Sequence, residues 1–199
     1  MDLALLVAVG VNEEGYRGHG HSPYILLLVV EPAGGERKEA WRNLLKGLVA
    51  RGLRGVRLVI SDDHLSIRQA VMAELPGASW QRCVVHFMRN VLAHAPRSER
   101  GVVAEELQEV FAQGLGEALT YLDFPSGHQR HIKSTNVLER LIREVKRRTR
   151  VVGVFPGEGS LVNLATVVML RATEDWAFRR YLDMGPLWAA EEKPTKIAT

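Results

Sequence analysis

The segment Val56-Arg-Leu-Val-Ile60-Ser61-Asp62-Asp63-His64 decides how the chain is read. Val56–Ile60 is a short apolar run, and turn-forming Ser61-Asp62-Asp63 ends it abruptly. Runs of this length bounded by turn chemistry read as buried strands. Upstream lie two more: Leu3–Gly10 (LALLVAVG), closed by Asn12-Glu-Glu-Gly15, and Tyr24–Val30 (YILLLVV), closed by Glu31-Pro32-Ala-Gly-Gly35. The polar loop between those two suits an antiparallel pair. Between the second and third runs, Arg37–Leu53 carries Ala40, Trp41, Leu44, Leu45 and Leu48 at helical spacing. A strand, a helix and a further strand favour a parallel crossover.

Downstream, His64–Leu75 reads as a helix stopped by Pro76-Gly77, and Gln81–Leu92 and Val102–Phe111 as two more. Gly114–Gly127 is loop-rich. Asn136–Thr149 is a strong helix, with Val137, Leu138, Leu141, Ile142 and Val145 on one face and cations opposite. After Pro156–Gly159, Leu161–Tyr181 reads as one or two helices, and the tail from Glu191 is polar. The class is α/β, with strands early and helices late.

The 199 residues are 46% hydrophobic and 25% charged, which suits a packed domain and excludes wholesale disorder. Net charge is only +3, but it is unevenly spread. Arg130–Arg150 holds eight Lys or Arg against Glu139 and Glu144, an excess of +6 that leaves −3 for the rest. A basic segment in a near-neutral chain points to nucleic acid. Cys83 is the only cysteine, so an internal disulfide is excluded and a reducing, cytoplasmic setting is expected. The apolar runs are too short to span a bilayer, and Met1-Asp2-Leu3 lacks a secretory n-region. The chain opens almost inside a strand-like run, as a truncated reading frame or a compact native terminus would.

Four groups are candidates for chemistry. Asp62 follows a strand, where carboxylates reach ligand clefts in open α/β sheets, although Ser61, Asp62 or Asp63 equally suits a helix cap. Glu139, three residues after Asn136, fits a capping box and the positive end of a helix dipole. Cys83-Val-Val-His86 has metal-ligand spacing but no second pair for zinc, and a buried thiol beside a hydrogen-bonded histidine is the plainer alternative. Arg140, Arg143, Lys146, Arg147, Arg148 and Arg150 form a basic face that is either solvated or bound to phosphates. Trp176, Arg179, Arg180 and Tyr181 repeat the theme weakly, since the aromatics also suit a core.

The string Ser134-Thr-Asn-Val-Leu-Glu139-Arg-Leu-Ile-Arg-Glu-Val-Lys-Arg-Arg-Thr-Arg-Val-Val-Gly153-Val-Phe-Pro156 resembles the acidic-helix segment of Mutator-type bacterial insertion-sequence transposases. Leu58–His64 resembles the segment holding that family's second acid, and Gly77–Asn90 its C-x-x-H block. Leu5–Gly15 and Gly34–Gly52 resemble the strand and helix before the second acid. These motifs cover most of the chain in the family's order.

The resemblance implies a ribonuclease-H-like fold and a D-D-E triad holding divalent cations, Mg²⁺ or Mn²⁺. Such cations activate water or a 3′-hydroxyl and stabilise the leaving oxygen in phosphodiester transfer. Asp62 takes the place of the second acid and Glu139 that of the third. Cys83 and His86 take the supporting C-x-x-H positions. The basic residues from Arg140 to Arg150 would hold transposon-end or target DNA, and a second copy or a full-length transposase is a further implied partner. Nucleoid association follows from DNA binding.

Departures from the family pattern are equally specific. The strand bearing the first acid has no counterpart, and Asp2 matches nothing of that motif. The helical insertion around 101–133 looks shortened, and Ile142 stands where relatives often have Asn. The expectation is a partial catalytic domain over 1–185 and a polar tail over 186–199, inactive alone. The alternative is a non-catalytic DNA-binding or transposase-pairing fragment.

Overall fold

A computed structural model of the chain describes residues 4–15, 27–33, 38–112 and 118–191. It has the expected mixed α/β class, and all the strands described fall before residue 83. β1 (Ala4–Val9) pairs antiparallel with β2 (Leu27–Ala33), with a register shift between Ala8 and Val9. This is the pairing the intervening loop suggested. β2 runs on through Pro32, opposite Leu5. A proline is tolerated there because β2 has a ladder partner on one side only among the described residues. Residues 24–26 of the expected strand lie outside the described residues.

The periodicity of β1 organises the core. Successive side chains of a strand point to opposite faces. Leu6 and Ala8 face one apolar cluster with Leu44, Leu45, Leu48, Ile67, Ala70, Val71 and Leu75, from α1 (Lys38–Ala50), α2 (Leu65–Glu74) and the residue after it. Leu5, Val7 and Val9 face the other cluster, with Leu138 and Val145 of α6 (Asn136–Val152) and Ala165 and Met169 of α7 (Glu158–Ala172). β1 is therefore covered on both faces, which is why LALLVAV is continuously apolar rather than alternating. Gly52 follows the end of α1, and its φ of 106° lets Leu53 N–H reach back to Leu48 O at 3.0 Å.

The third expected strand finds a different partner. β3 (Leu58–Ser61) pairs in parallel with β4 (Ser79–Arg82), not with β2. The crossover is thus β3–α2–β4. Helical spacing had placed Gln81 and Arg82 in a helix, but Ile60 and Ser61 hold them in strand register, and helix α3 (Val84–His94) starts two residues later. Gln81 is fully buried, and its side chain donates to Ala118 O and accepts from Tyr121 N–H. That anchor holds a 3₁₀ turn, Thr120–Asp123, against β4.

α4 (Arg100–Ala112) matches expectation, whereas α5 (Ser126–Ile132) lies partly in the segment read as loop. Residues 113–117 of that segment lie outside the described residues. α7 and a 3₁₀ turn, Glu174–Phe178, separated at Thr173, fill the last helical stretch, and α8 is Gly185–Glu191. Among the described residues, no helix is long and apolar enough to cross a membrane.

Candidate functional site

The carboxyl ends of β3 and β4 lie side by side. Ser61 is level with Arg82, and Cys83 N–H donates to Ser61 O at 2.7 Å. The two carboxylates after Ser61 have different surroundings. Asp63 meets Arg82 at 3.0 Å, and that guanidinium also lies over the Phe87 ring. Asp62 is exposed and has no ion-pair partner among the described residues. The helix cap that Ser61, Asp62 or Asp63 could have supplied is not formed: His64 occupies the cap position of α2 and makes no side-chain cap hydrogen bond. Asp62 is left open to solvent.

Cys83 connects this strand end to α6. Its thiol is buried, and Sγ accepts hydrogen bonds from both N–H and Oγ1 of Thr135, each at 3.4 Å. Val84 N–H donates to Lys133 O at 2.9 Å, a second tie between the same two segments. One turn into α3, His86 Nε2 lies 3.3 Å from Glu139 Oε1, and Arg89 lies 3.9 Å from Oε2. The C-x-x-H spacing thus sends its two side chains to different tasks. Cys83 fastens the start of α6, and His86 faces the carboxylate one turn further on.

Glu139 is not in a capping box. Thr135 occupies the N-cap without a side-chain cap bond, since its hydroxyl points to Cys83. The Glu139 carboxylate turns to His86 and Arg89 instead. Its Oε1 is shielded from water and makes no hydrogen bond of good geometry, and the same holds for His86 Nδ1. A buried carboxylate oxygen with spare acceptor capacity is costly unless something else meets it. A carboxylate oxygen is the type of donor that a hard divalent cation takes. Among the described residues, no cluster of three His, Cys, Asp or Glu forms a metal cage.

All six cationic positions on α6 are exposed. Two share one counter-charge: Arg147 binds Glu144 through two nitrogens, at 2.7 and 2.9 Å, and Arg148 binds the same carboxylate at 3.2 Å. These guanidiniums hold the Glu144 carboxyl down at about 2, and Glu144 in turn raises the Arg147 pKa. Arg140, Arg143, Lys146 and Arg150 have no ion-pair partner among the described residues. At 3.6 residues per turn, Arg143, Lys146 and Arg150 continue the face on which Glu139 stands, opposite buried Leu141 and Val145. The later aromatic-basic cluster is mostly structural. Tyr181 donates to His131 O and packs edge-on against its ring, and Arg179 pairs with Asp175.

Sequence reasoning missed Arg89 and Thr135. Arg89, the penultimate residue of the Gly77–Asn90 block, resembles any solvated helix cation, and Thr135 resembles any helix cap.

The profile of the family described as "Transposase, Mutator family" matches residues 1–115 and 112–178. The chain is 36% identical over 218 residues to the transposase for insertion sequence element ISRM5 of Rhizobium meliloti, covering 94% of this chain and 53% of that protein. It is 33% identical to the transposase for IS406 of Burkholderia multivorans, covering 94% and 54%. Against the transposase for IS1081 of Mycobacterium tuberculosis, identity is 33%, covering 98% and 54%. The chain spans about half the length of these curated relatives. With the family's profile matching most of its length, the chain belongs to the Mutator family of transposases.

Proposed function

We propose that this chain is part of a transposase catalytic core of ribonuclease-H-like design, acting on transposon-end DNA by metal-dependent phosphodiester hydrolysis and strand transfer. Asp62 and Glu139 are two carboxylates of its acidic site. The observation that carries this reading is the chain of contacts joining them. Ser61, next to Asp62, bonds to Cys83; Cys83 bonds to Thr135; and Thr135 O accepts the N–H of Glu139 at 3.0 Å. Two acids 77 positions apart in the sequence are thereby linked through one end of the β3–β4 pair.

Asp62 and Glu139 would hold a divalent cation, Mg²⁺ or Mn²⁺. When bound, the cation supplies Lewis-acid polarisation of the phosphate and activation of the attacking oxygen. The chain's own groups do the positioning. His86 and Arg89 keep the Glu139 carboxylate turned towards the site. Arg143, Lys146 and Arg150 hold DNA phosphates along the same helix face. Arg140 extends this grip, while Arg147 and Arg148, already bound to Glu144, stiffen the helix and add to the field.

In the family the first acid lies on a strand upstream of the run that forms β1, and no segment of these 199 residues matches that motif. The 199 residues thus supply two acids of three and alone act as a DNA-holding body without cutting. The family match falls into two stretches meeting at 112–115, which supports a shortened insertion there.

The test is a strand-transfer assay on transposon-end DNA with Mg²⁺ or Mn²⁺. The chain alone binds the DNA and yields no joined product. Adding a strand that supplies the third carboxylate restores joining, and Asp62→Ala or Glu139→Ala abolishes it. Joining that survives either substitution would overturn the assignment of the acids, and joining by the chain alone would overturn its inactivity.

A further inference from the structure

The basic face of α6 runs into an apolar tip that the core does not use. Val151 and Val154 each keep 85% of their surface exposed, and Val152 keeps 48%. Isolated exposed valines are common, but three within four residues around one sharp turn are not scattered noise. The turn itself is defined. Gly153 has φ 73° and ψ −63°, and Val154 N–H donates to Val152 O at 2.9 Å. This is a classical γ-turn, a strained conformation that glycine tolerates best. Strain kept at an exposed turn marks a shape that is held, not a frayed helix end.

The charge around the tip says what it would meet. Arg147, Arg148 and Arg150 precede it, and no carboxylate occurs between Glu144 and Glu158. Cations leading into an uncharged apolar point suit a polyanion with apolar faces set behind its phosphates. Nucleic acid fits that description, whereas an ordinary protein surface does not. From Glu139 to Val152 the helix rises about 20 Å. This is the length of about six base pairs.

We propose that the Val151–Val154 turn is a base-contacting wedge. With the phosphates on Arg143, Lys146 and Arg150, Val151 and Val154 press against or between bases about six base pairs from the position beside Glu139. The inference rests on the DNA-binding reading above and adds to it a second contact, to bases rather than phosphates.

The experiment uses the full chain and DNA duplexes carrying 2-aminopurine at successive positions, with binding read separately by anisotropy at several salt concentrations. Binding raises 2-aminopurine fluorescence at one narrow set of positions. The double variant Val151→Ser/Val154→Ser keeps its anisotropy and salt slope but loses that rise, and Val151→Leu/Val154→Leu restores it. A rise that persists in the serine variant overturns the wedge, as does binding by the parent chain with no rise at any position. Loss of self-association in the serine variant with the fluorescence unchanged also overturns it, and makes the turn a contact between copies. Absence of salt-dependent binding by the parent chain defeats the DNA reading itself, an outcome distinct from failure of the wedge alone.

Discussion

Adjacent carboxylates in this region differ in their surroundings. Asp63 is neutralised by Arg82, whereas Asp62, one bond along, is open. Cys83 is structural in the strict sense that its sulfur satisfies two donors of Thr135. Cys83→Ala removes that acceptor and leaves two partly buried donors without it, which is expected to cost about 1 kcal/mol in urea unfolding. The accompanying loosening of α6 would be visible as faster amide exchange at Thr135. Glu144 makes a different kind of prediction. Its carboxyl sits at about 2 against 4.5 for the free side chain, so its ion pairs are complete above about 4.5 and are lost as pH falls towards 2. A carboxyl NMR titration should give a midpoint near 2, and Glu144→Gln should remove the corresponding acid-side loss of helix stability. A midpoint near 4.5 would show that the arginines are not engaged.

Among the elements, β1 shows how far pattern alone carries. LALLVAV reads as a buried strand, and the structure explains its lack of alternation by cores on both faces. Helix α6 was legible for the same reason, since its apolar and basic faces are cleanly opposed. β4 was not legible. Gln81 and Arg82 belong to a strand because β3 pairs with them, a non-local fact that helical spacing of the flanking residues obscures. α5, with few apolar positions, is held by contacts rather than by its own periodicity. The site divides in the same way: the acids and the C-x-x-H block were visible as motifs, but the Cys83–Thr135 and His86–Glu139 contacts needed the fold. At this scale the α1–α2 core is a testable unit. Leu44 is almost fully buried, and Leu44→Ala should cost about 2–5 kcal/mol by thermal or denaturant unfolding. A cost below about 1 kcal/mol would mean that α1 does not pack against α2 and β1 as described.

For the whole molecule, the distribution of charge matters more than its sum. A net +3 predicts little, yet three cations without ion-pair partners among the described residues continue one helix face from Glu139. If Arg143, Lys146 and Arg150 each neutralise one phosphate, the triple alanine variant should reduce the slope of log K against log salt by about 2–3 units. An unchanged slope would place DNA elsewhere on the surface. The site at the head of that face depends on Asp62 and Glu139 sharing one ligand. Mn²⁺ titration followed by paramagnetic broadening tests that most directly. Resonances of Asp62 and Glu139 are expected to broaden together at low Mn²⁺, and Asp62→Ala or Glu139→Ala is expected to abolish the effect at both positions. Broadening at one residue that is indifferent to loss of the other would contradict a shared acidic site.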